Sequence, residues 1–307
     1  MLKMKTKLRI IALILVLVLL SPIYSFAGEQ DIELKYLNIG DSIAYGLSAD
    51  PRDSTSYFPL YEDYLHENFG FEKPAVNLGN LGIDSTELLK ALKKEYSPTD
   101  GITYIWQNNL LAQIPEADVI TISIGGNNLL TPVIASVFEI YGATTEEEFM
   151  GKVVYAGKDI WNLNLNGFVA SALSSEYPNL GTFLESGTQQ FLSDWPAILD
   201  EIEDLNSDAH IIALTLYNPI EKEDNEALYY RFEELLKPMN MAMKKTQNRA
   251  KLADVAKSFK KESDAIDFRL KWMDGMPPVW LDPHPTTLGH EIIFNEITKV
   301  RNPNSFK

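Results

Sequence analysis

The stretch Asp118-Val119-Ile120-Thr121-Ile122-Ser123-Ile124-Gly125-Gly126-Asn127-Asn128 decides how this chain folds. Its first seven residues are rich in β-branched side chains, which fit an extended, pleated backbone better than a helix. A nearly continuous apolar run is also what a strand covered on both faces requires. Two glycines then end the run and open a turn. Residues 118–124 therefore read as a strand, the third along the chain, and Gly125 to Asn128 as the loop at its carboxyl end.

The pattern repeats outward from there. Residues 34–39 read as a first strand that stops at Gly40, and residues 75–78 as a short second one. Residues 210–216 read as a fourth strand and residues 251–256 as a fifth. Helical spacing fills the intervals. Residues 84–94 carry leucines at 88, 89 and 92 on one face, with Ser85 or Thr86 as the cap. Residues 229–250 form a long helix that Pro238 kinks or divides, and residues 287–300 form a last one. Strands alternating with helices predict an α/β protein, with a parallel sheet of about five strands covered on both faces. In open sheets of this sort, functional residues gather where strands end. Gly40-Asp41-Ser42, the glycines at 79 and 82, and Gly125-Gly126-Asn127 should then converge on one edge.

Residues 129–190 are too long for a single crossover helix. Helical signals at 144–156 mix there with Trp161, Phe168 and the turn pair Tyr177-Pro178. The segment reads as a helical insertion beside the functional edge. It is either a lid or acyl-chain wall, or a structural elaboration of the sheet's flank.

The amino-terminal residues 1–27 read as an export signal. Lys3, Lys5, Lys7 and Arg9 precede an unbroken apolar run of eleven residues from Ile10 to Leu20. Ser21-Pro22 breaks the run, and Ser25-Phe26-Ala27 gives a small-x-small cleavage site before Gly28. At about 1.5 Å per residue the run spans roughly 17 Å, short of an apolar bilayer core of about 30 Å. The competing reading is an uncleaved membrane anchor. Cleavage would leave a secreted domain over residues 28–307 with no stable membrane span. The chain has no cysteine, which excludes a disulfide scaffold, a cysteine nucleophile and a cysteine-linked lipid anchor. Its formal charge is −16, and residues 1–27 hold four positive and no negative side chains, so the remainder stands at −20. A surface of that sign repels nucleic acid and anionic lipid, and no nucleic-acid partner is expected.

Four segments carry the chemistry. A serine hydroxyl needs a base to take its proton and N–H donors to hold the oxyanion that its attack creates. Ser42, just past a strand end in Gly40-Asp41-Ser42, is placed for attack. The lipase elbow Gly-x-Ser-x-Gly is missing, which removes the marker of a different hydrolase fold. Gly82 in Asn77-Leu78-Gly79-Asn80-Leu81-Gly82 offers a backbone N–H at a strand-to-helix turn, and Asn127 offers a side-chain amide at another. Of the four histidines, His66 falls in a surface helix, His210 opens a strand and His290 faces into the last helix. His284 alone is held on a loop between two prolines, in Asp282-Pro283-His284-Pro285. Residues two apart in extended backbone face the same side, so Asp282 can reach the His284 ring and hold its tautomer.

Taken in order, these segments resemble the SGNH/GDSL hydrolase superfamily. The likeness runs from Gly40 to His290: Gly40-Asp41-Ser42, then Gly82, then Gly125 and Asn127, then His284-Pro285 with Gly289-His290. The stretch from Leu214 to Pro219 is similar to the fourth-strand end of bacterial secreted members. The resemblance implies a flavodoxin-like, three-layer α/β/α sandwich. It also implies Ser42 as nucleophile, His284 as general base, and an oxyanion hole made by the Ser42 and Gly82 N–H groups with the Asn127 side chain. No metal and no cofactor is implied. Two departures stand out. The family's aspartate usually lies three residues before its histidine, whereas Asp282 lies two before. Either Asp282 reaches by a different loop path, or another acid or a carbonyl orients the ring, Asp274 being a distant reserve. The residue after Asn127 is usually Asp and here is Asn128. The expected function is a secreted serine esterase or lipase-type acylhydrolase, acting on a small or polymer-bound ester through an acyl-enzyme. Deacetylation of a carbohydrate or cell-wall polymer at the same site is the alternative, for which Trp161, Trp195 and Trp280 would offer sugar-stacking faces. A non-catalytic binding protein on a hydrolase fold is the third.

Overall fold

The computed structural model describes residues 34–131, 178–223, 226–266, 270–271 and 280–300. The export signal, residues 132–177 of the expected insertion and Asp274 lie outside them. Residues 34–307 group as one compact unit.

Five parallel strands form the sheet: β1 (Tyr36–Gly40), β2 (Val76–Gly79), β3 (Val119–Ser123), β4 (His210–Leu214) and β5 (Ala250–Ala253). Their order is β2-β1-β3-β4-β5, the doubly wound arrangement in which the winding reverses between β1 and β3. Gly40 stands opposite Gly79 on one side and Ser123 on the other, so three strand ends lie level at that switch point. A pair of two-residue antiparallel strands, β6 (Leu270–Lys271) and β7 (Trp280–Leu281), leads into the His284 loop.

The helices are α1 (Ser42–Tyr45), α2 (Arg52–Thr55), α3 (Tyr57–Phe69), α4 (Ser85–Leu92), α5 (Ile102–Gln113), α6 (Pro178–Leu205), α7 (Glu226–Lys245), α8 (Val255–Phe259) and α9 (Thr287–Val300). Residues 126–131 are also helical. Alternation along the strands sorts the core into two halves. Leu37, Ile39, Ile120 and Ile122 face Leu88 of α4, Phe191 and Trp195 of α6 and Met239 of α7. Tyr36, Val119, Ile212 and Leu214 face Tyr57 and Tyr61 of α3 and Ile293 and Ile297 of α9. These are the two outer layers of an α/β/α sandwich.

Several boundaries move from their sequence-based positions. Neither Ser85 nor Thr86 caps α4. Asp84 does, accepting from the Glu87 N–H while the Glu87 side chain accepts from the Asp84 N–H. The fifth strand ends at Ala253, and residues 255–256 already belong to α8. The long helix holds Pro238 without dividing and ends at Lys245. Residues 178–190, the carboxyl end of the expected insertion, are continuous with the helix before β4: they form the first half of α6, which runs to Leu205.

Candidate active site

Gly40 lets the chain turn sharply off β1. Its φ is +131°, and a Cβ there would sit 1.9 Å from the Ser123 carbonyl oxygen. Only glycine fits a backbone packed that closely against its neighbour. The Asp41 N–H then donates to that same carbonyl at 2.9 Å. Asp41 caps α1, its Oδ1 accepting from the Ile43 N–H at 3.0 Å. Ser42 is thus the first helical residue, and its own N–H has no partner inside the helix.

The Ser42 Oγ lies 2.8 Å from the His284 Nε2. The other ring nitrogen, Nδ1, lies 2.6 Å from the Asp282 Oδ1. That oxygen also accepts from the His284 backbone N–H at 3.0 Å, and the Asp282 Oδ2 accepts from the Ser48 hydroxyl at 2.7 Å. Partial burial alone would favour the neutral acid. The hydrogen bonds from the His284 ring, the Ser48 hydroxyl and the His284 N–H outweigh it and hold the Asp282 carboxyl well below its ordinary range. Of the two routes left open for orienting the ring, the direct one from Asp282 is present despite the short spacing.

Asn127 stands near the start of the helix after β3 and is nearly buried. Its Nδ2 donates to the Ile83 carbonyl at 2.8 Å. A primary amide has two N–H donors, so that bond fixes the group and leaves one to give. Gly82, with φ +78°, occupies the exposed turn just before Ile83. Ser42, Asn127 and His284 line one cavity, and Gly82 is not among its lining residues. Asp41, Ser123 and Thr215 also line it, but most of the remaining wall is apolar, with Leu129, Leu130, Leu216, Pro219, Phe232 and Leu236, and its volume is about 680 Å³ counting the mouth open to solvent.

Other groups brace the site. The Tyr217 hydroxyl donates to the Pro283 carbonyl at 2.8 Å, between Asp282 and His284. His290 is fully buried: its Nε2 bonds the Leu47 carbonyl at 3.0 Å and its Nδ1 receives the Tyr57 N–H. Burial pushes this ring down to about 4, so it stays neutral. Burial also drives the Asp41 carboxyl up to about 6, against the opposing pull of the Ile43 N–H, the Ser123 hydroxyl and His284. Asn128, in place of the family's usual aspartate, accepts the Ser85 N–H on Oδ1 and donates from Nδ2 to the Ser85 Oγ. Ser85 in turn donates to Asp194 of α6 at 2.7 Å. Among the described residues, no three His, Asp or Glu side chains converge as a metal-binding set.

A family model for GDSL-like lipases and acylhydrolases matches residues 39–292. The chain belongs to that family. This GDSL-family acylhydrolase is similar to solved structures that share little of its sequence. The lipase Lip_vut3 from a goat rumen metagenome is 17% identical at a TM-score of 0.52, over 89% of this chain and 99% of that one. Phospholipase A1 from Streptomyces albidoflavus is 14% identical at 0.46, over 88% and 100%. A carbohydrate esterase of family 3 from Talaromyces cellulolyticus is 11% identical at 0.41, over 87% and 95%. No curated protein matches the chain. Within this GDSL acylhydrolase, Trp195 is fully buried against Phe191, which removes it as a sugar-stacking face. Trp161 lies outside the described residues. Sequence reasoning missed Ser48, Tyr217 and Asp194. Each acts across more than a hundred residues or through a single backbone carbonyl, and no local pattern marks them.

Proposed function

We propose that this protein is an exported serine esterase that cleaves carboxylic esters of apolar acyl groups. The observation that carries the reading is the unbroken line from Asp282 through His284 to the Ser42 Oγ, with contacts of 2.6 and 2.8 Å, opening into an apolar cavity. His284 takes the Ser42 proton as the oxygen attacks the ester carbonyl, and Asp282 holds the ring and stabilises the imidazolium. The negative oxygen that develops is received by the Ser42 N–H and the second Asn127 amide N–H, with the Gly82 N–H as the third donor that the family resemblance implies. Such donors each contribute roughly 3–4 kcal/mol to lowering the barrier. His284 then passes its proton to the departing alkoxide, and water releases the acyl group by the same route in reverse order. The leucines and Phe232 support an acyl chain as occupant, because burying its methylenes there gains about 0.8 kcal/mol each.

The test is hydrolysis of p-nitrophenyl esters from acetate to octanoate, beside acetylated sugars, by wild type and Ser42→Ala. Wild type should favour the longer acyl chains, with Ser42→Ala at least about 10³-fold slower. Equal rates for the two proteins would remove the esterase reading. A preference for acetylated sugars would move the substrate to the carbohydrate class.

A further inference from the structure

We propose that Ser48 is the positioning residue that makes the short Asp282-Pro283-His284 spacing workable, an inference that rests on the serine-esterase reading. With one proline between them, Asp282 grips His284 through Oδ1 alone, on both the ring and the backbone N–H. That leaves Oδ2 to be placed by groups other than His284. The Ser48 hydroxyl, 2.7 Å from Oδ2, fixes the other end. Ser48 reaches that point in a left-handed conformation, φ +68°, which a residue with a Cβ adopts at a cost. The chain on either side is clamped to the carboxyl-terminal helix. The Leu47 carbonyl is held by His290, and the Asp50 N–H donates to the Thr287 Oγ1 at 3.0 Å. Two ties to α9 thus hold open a strained turn whose central side chain is aimed at the acid. The loop that follows the nucleophile orients the acid 234 positions away, so the nucleophile and its orienting group share one rigid support.

A double-mutant cycle separates this role from a merely structural one. Ser48→Gly removes the hydroxyl while relieving the backbone, so folding is spared; Ser48→Ala removes it without relief. Either should lower kcat about 10-fold on a p-nitrophenyl ester with KM within about twofold, as loss of an orienting charge-assisted bond predicts. In an Asp282→Asn background the same changes should cost less than about twofold, because the group they act through is gone. Where turnover of that background is too slow to follow, the rate of Ser42 labelling by a fluorophosphonate gives the same comparison. Full kcat in Ser48→Gly, or equal losses in both backgrounds, overturns the proposal while leaving the esterase reading intact. Absence of Ser42-dependent hydrolysis in wild type overturns both together.

Discussion

At the scale of single residues, two buried ionisable groups near Ser42 pull stability in opposite directions. The folded Asp41 keeps its proton up to about 6, whereas an unfolded aspartate loses it near 4. Between those values the folded state binds the extra proton, so this group lowers stability as the pH rises. The folded His290 refuses a proton until about 4, whereas an unfolded histidine takes one near 6.5. There the unfolded state binds the extra proton, so this group raises stability as the pH rises. The two contributions largely offset each other between about pH 4 and 6. Asp41→Asn should unmask the histidine, and its urea midpoint should climb more steeply than that of wild type from pH 4.5 to 6. Parallel slopes for the two proteins would mean that Asp41 is ionised throughout. Neither effect is legible in the sequence, because Gly-Asp-Ser looks alike whether its aspartate is wet or buried.

At the scale of elements, the start of α4, the helical turn after β3 and helix α6 are joined through one hydroxyl. Ser85 has a single proton and gives it to Asp194, and it receives the Asn128 N–H. All three side chains are nearly inaccessible. Asn128→Asp would set two buried carboxylates around that one proton and leave the oxygen that replaces the Asn128 Nδ2 facing the Ser85 Oγ without a donor, while Asp194 keeps Thr86 and Gln190, at a cost of roughly 1–3 kcal/mol or more. That change should lower the urea midpoint, and adding Asp194→Asn should restore most of it, since the amide then supplies the missing donor. A double variant no more stable than the single one would show that the three elements are not coupled this way. The strands were readable from residue pattern alone because each is a short apolar run closed by glycine or turn residues, and β1, β3 and β4 fall within two residues of their expected ends. Helix starts were harder. Asp84 and Ser85 are both good caps, and what decides between them is that Ser85 is drawn inward by Asn128 and Asp194, partners distant in sequence. The same holds in the site. Ser42, His284, Asp282 and Asn127 could be named because their residue types and order are restrictive, whereas Ser48 and Tyr217 matter only through where the fold puts them.

At the scale of the whole molecule, stability rests on the two apolar halves of the core, since the chain has no cysteine to cross-link it. No helix among the described residues is long and apolar enough to cross a membrane. Export through the amino-terminal signal is read from the charge, apolar run and small-residue site at residues 1–27. Amino-terminal sequencing of protein recovered from culture medium should begin near Gly28. Recovery only with membranes, still beginning at Met1, would replace export with tethering. The distance between the reacting groups adds a consequence for timing. Ser42 precedes His284 by 242 positions, and the backbone on either side of Ser48 is tied to α9, the helix that follows His284. If the chain is exported as proposed, amino end first, Ser42 crosses long before His284. On the proposed reading the Ser42–His284 pair forms only once α9 has docked, so a half-delivered copy carries no assembled pair.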